Sequence, residues 1–186
     1  MQNRATATES LMPVLYLTGS QQSTDEITDE LISGLRKIDP QPQMFLKAGD
    51  PAVAVFEAKG YSQQFVCPPV SYFMPSPEEA LFNPHAVAQH RMRALIVGKV
   101  KGCIIVENHL SDLSLINGII HYNMTRGGAL PPIPMVLVGW DERVWMSFFV
   151  NNMFSKPYAW LLRLEGDEVD LSQRSIRFIS HQRGLK

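Results

Sequence analysis

Pro13-Val-Leu-Tyr-Leu-Thr-Gly-Ser-Gln-Gln-Ser-Thr-Asp-Glu26 is the stretch on which the fold turns. Its first six residues are an apolar run with the length of a buried strand. Gly19-Ser20 breaks that run. Ser23-Thr-Asp-Glu26 then has the S-x-x-E form of a capping box, in which the serine and glutamate side chains satisfy free N–H groups at a helix start. Behind it Ile27, Leu31, Leu35 and Ile38 recur at near-helical spacing, which predicts an amphipathic helix over 24–38. Strand, glycine turn and capped helix make the first half of a βαβ unit.

Outward from this stretch the alternation continues. Residues 43–46 read as a second strand, 51–59 as a short helix stopped by Gly60, and 64–67 as a third strand cut off by Pro68-Pro69. Five prolines fall between 68 and 84, with no clear period, which predicts an irregular loop crossing the top of the sheet. Asn83-Pro84 is a helix entry, with asparagine as cap and proline at the first position, leading to a helix that runs to about residue 99. Gly102-Cys-Ile-Ile-Val106 is apolar on both faces, as a central strand of a parallel sheet must be.

A polar turn, 107–112, feeds a helix over 112–125. There Leu113, Leu115, Ile116, Ile119 and Ile120 leave little polar face, so burial is expected. Further strands are predicted at 135–138 and 158–164. Between them lies a helix with Trp145, Phe148, Phe149, Asn152 and Met153 on one side, and a last helix covers 171–179. Strands alternating with helices argue an α/β, Rossmann-like three-layer sandwich with a mostly parallel central sheet and right-handed crossovers. The expected organisation is an N-terminal arm over 1–12, one domain over 13–180 and a tail over 181–186.

Composition narrows the function classes. The chain has 186 residues, of which 45% are apolar and 19% charged, and a formal net charge of −1. It therefore offers no basic field for nucleic acid and no polybasic stripe for a membrane surface. No apolar run approaches the roughly 20 residues that span a bilayer. The first dozen residues lack the apolar segment of a signal peptide. Cys67 and Cys103 lie singly in apolar runs and read as buried thiols of a reducing compartment. A cytoplasmic protein is expected, with no metal and no cofactor.

In open parallel sheets ligands sit beyond the carboxyl ends of the strands, where helix N-termini present free N–H groups. The segments that fall there are 19–23, 49–50, 107–112 and 139–143, and two of these turns carry the candidate chemistry. Gly19-Ser20 and the hydroxyls around them suit a phosphate or a ribose, although the G-x-G-x-x-G and G-K-[ST] patterns are absent. Glu107-Asn-His-Leu-Ser-Asp112 puts two carboxylates, an amide, an imidazole and a hydroxyl on a central loop. Glu107 and Asp112 are the candidate catalytic pair, and Asn108, His109 and Ser111 the candidate ligand contacts. Arg91 and Arg93, on the helix before the central strand, are candidates for holding a phosphate by paired hydrogen bonds. Trp140, Trp145, Phe148 and Phe149 read either as core or as a dimer surface.

The order of segments resembles the Lonely Guy proteins, also called lysine-decarboxylase-like, within the wider SLOG-type Rossmann group. The likeness rests on the strand ending in Gly19-Ser20 and on Pro134-Met-Val-Leu-Val-Gly139 followed by Trp145-Met-Ser-Phe-Phe149. That family is one of nucleotide-monophosphate phosphoribohydrolases. The resemblance implies a nucleotide or nucleoside ligand and a homodimer. The family's P-G-G-x-G-T-x-x-E turn is replaced here by Glu107-Asn-His-Leu-Ser-Asp-Leu-Ser-Leu115, so its catalytic glutamate falls on Leu115. Its upstream arginine falls near Met92-Arg93. Leu15-Tyr-Leu-Thr-Gly-Ser20 is similar, more distantly, to nucleoside 2-deoxyribosyltransferases. The expectation is a nucleotide-binding relative without the usual catalytic motif. The alternatives are an N-glycosidase with a rearranged site and a non-catalytic homodimeric interaction protein.

Overall fold

A computed structural model describes residues 12–18, 24–78, 83–106, 113–126, 130–145, 159–166 and 170–184. Six strands form one sheet: β1 (Pro13–Thr18), β2 (Gln43–Lys47), β3 (Gln64–Cys67), β4 (Gly102–Val106), β5 (Met135–Val138) and β6 (Leu161–Leu164). Every pairing is parallel, and the order is β3-β2-β1-β4-β5-β6. The α/β, Rossmann-like architecture with a parallel central sheet is thereby established. The helices are α1 (Thr24–Leu35), α2 (Ala52–Ala58), α3 (Pro84–Lys99), α4 (Leu113–Thr125), the single turn α5 (Glu142–Trp145) and α6 (Leu171–Arg183). No described helix is long and apolar enough to cross a membrane.

Side chains alternate across the strands and build two cores. Val14, Tyr16, Met44, Leu46, Ile104 and Val136 face α1, α2 and α6, where Leu31, Leu35, Phe56 and Ile179 close the layer. Leu15, Leu17, Phe45, Cys103, Ile105 and Leu137 face the other way, onto Met92, Ile96, Ile116 and Ile119 of α3 and α4. Strands β1, β2 and β3 step one way across the sheet. The chain then returns past β1 to place β4 on its other side. Right-handed crossovers demand that a reversal of direction carry the helices to the opposite face, which is where α3 and α4 pack.

Local signals act as their chemistry requires. Asn83 Oδ1 accepts the N–H groups of His85 (3.1 Å) and Ala86 (3.2 Å), with Pro84 as the first helical residue. Gly60 takes φ +62° after α2, and the Tyr61 N–H closes back on the Phe56 carbonyl, so this helix stops where the glycine stands.

Four expectations need correction. The first helix ends at Leu35 rather than 38, because the Lys37 and Ile38 N–H groups bond three residues back and tighten the last turn. The proline-rich stretch contains a 3-10 helix, Val70–Phe73, whose Val70 and Phe73 pack on the α3 side core. β6 begins at Leu161 rather than 158, since Ala159-Trp160 form a turn whose Trp160 carbonyl accepts the Met135 N–H. Helix α6 continues past 179 to Arg183, so the first half of the expected tail, 181–183, is helical. Arg183 is held by the carbonyls of Pro131 (3.2 Å) and Pro132 (2.9 Å), which extends the helix's anchoring.

Buried polar groups fix the helices on the sheet. The Tyr16 and Thr28 hydroxyls bond at 2.8 Å between β1 and α1, and Ser172 Oγ donates to the Leu31 carbonyl at 2.6 Å between α6 and α1. Gly34 makes the latter approach possible: a Cβ there would lie 2.5 Å from Ser172 Oγ. Asn123, on α4, bonds the Ile133 backbone twice, donating from Nδ2 to the carbonyl (2.8 Å) and accepting the N–H on Oδ1 (2.7 Å). Ile133 precedes β5, so this side chain sets where that strand enters.

Asn123→Ala leaves both Ile133 groups buried without partners and is expected to lower the unfolding free energy by about 2–4 kcal/mol. Urea titration checks this as a lower midpoint at unchanged slope; a loss below about 0.5 kcal/mol would mean the pair does not anchor β5.

Candidate functional site

Reversal of strand order occurs between β1 and β4. Their last residues, Thr18 and Val106, are register partners, so the chain leaves the sheet at two adjacent points and continues into 19–23 and 107–112. In open α/β sheets this topological switch point is where a crevice opens between loops turned to opposite faces. Gly19, Ser20, Glu107, Asn108, His109, Ser111 and Asp112 lie outside the described residues. Sequence connectivity alone carries their segments to this end of the sheet.

The neighbouring turns at this end of the sheet, after β2 and β5, lie among the described residues. After β2, Gly49 adopts φ +83°, the left-handed region that favours glycine, and turns the chain into α2. Asp50, buried, accepts the Ala52 N–H on Oδ1 at 2.9 Å, and its carbonyl takes the Val53 N–H at 3.1 Å. Its carboxylate thus caps α2. After β5, Gly139 adopts φ +68° and Trp140 turns back into the core, only 1% exposed. The indole Nε1–H donates to the Ile105 carbonyl at 3.2 Å, one residue before the end of β4. Arg163 Nε donates to the Trp140 carbonyl at 3.0 Å, and its guanidinium pairs with Glu165 at 2.6 Å.

Trp140 is therefore core and a buttress of the β4 exit, which removes it from any aromatic dimer surface. The side chains of Trp145, Phe148 and Phe149 fall outside the described residues. Sequence places 49–50 and 139–143 at this end of the sheet; the structure adds what the Asp50 carboxylate and the Trp140 indole do there. The signal for Asp50 was present, as an aspartate directly before Pro51 and an apolar helix.

Arginines 91 and 93 are both on α3, which enters at the carboxyl end of the sheet. Arg93 is nine residues from Pro84, about 13 Å down the helix. It is half-buried, and its Cδ lies 3.7 Å from where a Cβ on Gly118 of α4 would stand. Nε donates to the Gln89 carbonyl at 3.3 Å, one turn back along α3. Arg91 is exposed and lies two residues away, on a different side of the helix. The structure therefore separates the two: Arg93 lies in the α3–α4 groove and Arg91 on the outer surface. Met92 between them is core, and so is Leu115.

The thiols offer no nucleophile. Both cysteines are buried and free, and burial pushes the Cys67 thiol up to about 11 and the Cys103 thiol higher still. No group of metal-ligating side chains occurs among the described residues. Comparison with protein-family models, curated proteins and solved structures finds no match to this chain.

A thiol reagent at pH 7.5 is expected to label neither cysteine until the protein unfolds; rapid native labelling of Cys67 would contradict its burial. Because the folded state holds these protons more tightly than the unfolded chain, their contribution is intact below the ordinary thiol range. It is lost as pH rises toward about 11. Denaturation at a series of pH values should show that decline, reduced in Cys67→Ala.

Proposed function

We propose that this protein binds a nucleotide-like ligand in the crevice between the carboxyl ends of β1 and β4, without the hydrolysis typical of Lonely Guy enzymes. The observation that carries the reading is the register pairing of Thr18 with Val106 at the reversal of strand order. Open parallel sheets bind ligands at such a point because loops diverge there and helix N-termini face it. On this reading the glycine-serine turn after β1 and the 107–112 turn after β4 line the ligand. Arg93 supplies a charge-assisted pair to its phosphate. The Leu115 side chain, fully buried, provides no carboxylate where the resembled family has one.

A nucleoside monophosphate at 100 times its dissociation constant should stabilise the fold by about 2.7 kcal/mol. For a chain of this size that is roughly 5–10 °C in Tm. Thermal shift with nucleoside monophosphates, nucleosides and ADP-ribose, with free base assayed in the same wells, tests it. Arg93→Gln is expected to weaken monophosphate binding by roughly 10–100-fold and leave nucleoside binding unchanged. Stabilisation by none of these ligands would remove the reading. Released base, abolished by Glu107→Gln or Asp112→Asn, would replace it with an N-glycosidase.

A further inference from the structure

The net charge of −1 conceals a segregation that only the folded chain creates. Strand starts lie close to one line across the sheet: Val14 stands opposite Gly102, Met44 opposite Gln64 and Cys103 opposite Met135. The segments leading into them and the last turns of the helices therefore share one end of the molecule, opposite the crevice. Each of the four long helices delivers a cation there. Arg36 and Lys37 follow α1, Lys99 closes α3 with Lys101 just beyond, Arg126 follows α4, and Arg183 closes α6. Lys59, after α2, is paired with Asp29 at 2.6 Å. Among the described residues, Asp39 and Glu57 are the only carboxylates in these segments and last turns.

These cations cover a broad face. Six strands span about 24 Å, with helices about 10 Å to either side, α1 and α6 on one and α3 and α4 on the other. Backbone contacts tie the face together: the Arg36 guanidinium donates to the Lys59 carbonyl at 3.2 Å and the Lys101 N–H to the Pro13 carbonyl at 2.7 Å. Helix dipoles favour cations at helix C-termini. They give no reason for the two large aliphatic side chains left in water at this end, Met124 in the last turn of α4 (46% exposed) and Leu130 (51%). Arg126 donates to the Leu130 carbonyl, and Arg183 to those of Pro131 and Pro132, so two basic side chains flank Leu130.

We infer that this end of the molecule docks on an anionic lipid bilayer, with Leu130 and Met124 reaching into the headgroup layer. Cations spread over a whole end suit a charged plane better than the narrow track of one peptide. Nucleic acid is held through helix N-termini on phosphates and aromatic side chains on bases. This end presents helix C-termini instead, and its large exposed apolar side chains are aliphatic. Basic residues around exposed apolar ones are the pattern of an interfacial contact, where charge attracts the surface and apolar area enters it. The turns after β5 and β6, at the other end, carry Asp141, Glu142, Glu165 and Asp170 against Arg143. The same lipid charge therefore turns that end away and leaves the crevice open to solution. No polybasic run occurs in the sequence; the topology assembles the surface from residues as far apart as Arg36 and Arg183.

Co-sedimentation of the full chain with vesicles tests this without any nucleotide. Binding is expected to phosphatidylcholine vesicles containing about 30% phosphatidylserine at about 0.1 M salt, and not to phosphatidylcholine alone. Raising salt to about 0.5 M should weaken it at least tenfold. Lys37→Gln with Lys99→Gln and Lys101→Gln, which alters exposed or half-exposed side chains and should melt as the wild type does, is expected to lose on the order of 100-fold, roughly fivefold per cation. Arg143→Gln, at the opposite end, should bind unchanged. Leu130→Ser should cost a severalfold loss of the same size at either salt, which a purely ionic contact would not show. Absence of binding to the anionic vesicles at 0.1 M salt would overturn the proposal, as would a triple variant that binds like the wild type. Retention of a DNA duplex or polyglutamate without vesicle binding would overturn it in favour of another polyanion.

Discussion

Everything at the working end of this molecule depends on β4 pairing with β1 rather than with β3. A chain that had continued outward from β3 would have kept all its helices on one face and brought no two loops together. Returning past β1 forces α3 and α4 to the other face by the handedness of the crossover. It also buries β1 and β4 on both sides, which is why both are continuously apolar. The cost of ordering the central strands is offset by two cores rather than one.

Around that pairing, a few buried polar contacts convert a hydrophobic stack into a particular arrangement. Tyr16 with Thr28 and Asn123 with Ile133 tie successive elements together, and Ser172 with the Leu31 carbonyl joins helices 141 residues apart. Apolar burial alone fixes the layer but tolerates sliding. A buried donor or acceptor does not, because leaving it unpaired costs about 1–3 kcal/mol. Trp140 applies the same rule at the rim, where one indole bond ties the loop after β5 to the end of β4.

Much of the fold was legible in the chain because its signals are local. The all-apolar run from Gly102 to Val106 could only be a central strand, and Asn83-Pro84 could only open a helix. Where tertiary contact decides, the sequence was silent. The last helix is a mixed case: Gly184, left-handed just past Arg183, is a local stop signal, and the carbonyls of Pro131 and Pro132 hold the final turn from outside. Nothing local sends Trp140 inward while Tyr72 stays out; the first meets the Ile105 carbonyl and the second lies on the strap beside an edge strand. The site was legible as a place, since topology follows from alternation. It was less so as a set of residues: Arg91 and Arg93 are two apart and look paired in sequence, yet helical geometry turns them to different surroundings.

The central claim is that the crevice at the β1–β4 reversal is the binding site. Amide chemical-shift mapping during titration with a purine nucleoside monophosphate tests it most directly. The account predicts shifts concentrated at Gly49, Asp50, Val106, Gly139 and Trp140, together with the Arg93 side-chain Nε–H. Shifts confined to the opposite end of the sheet, around Gln43, Lys101 and Met135, would contradict it, as would a spectrum that does not change.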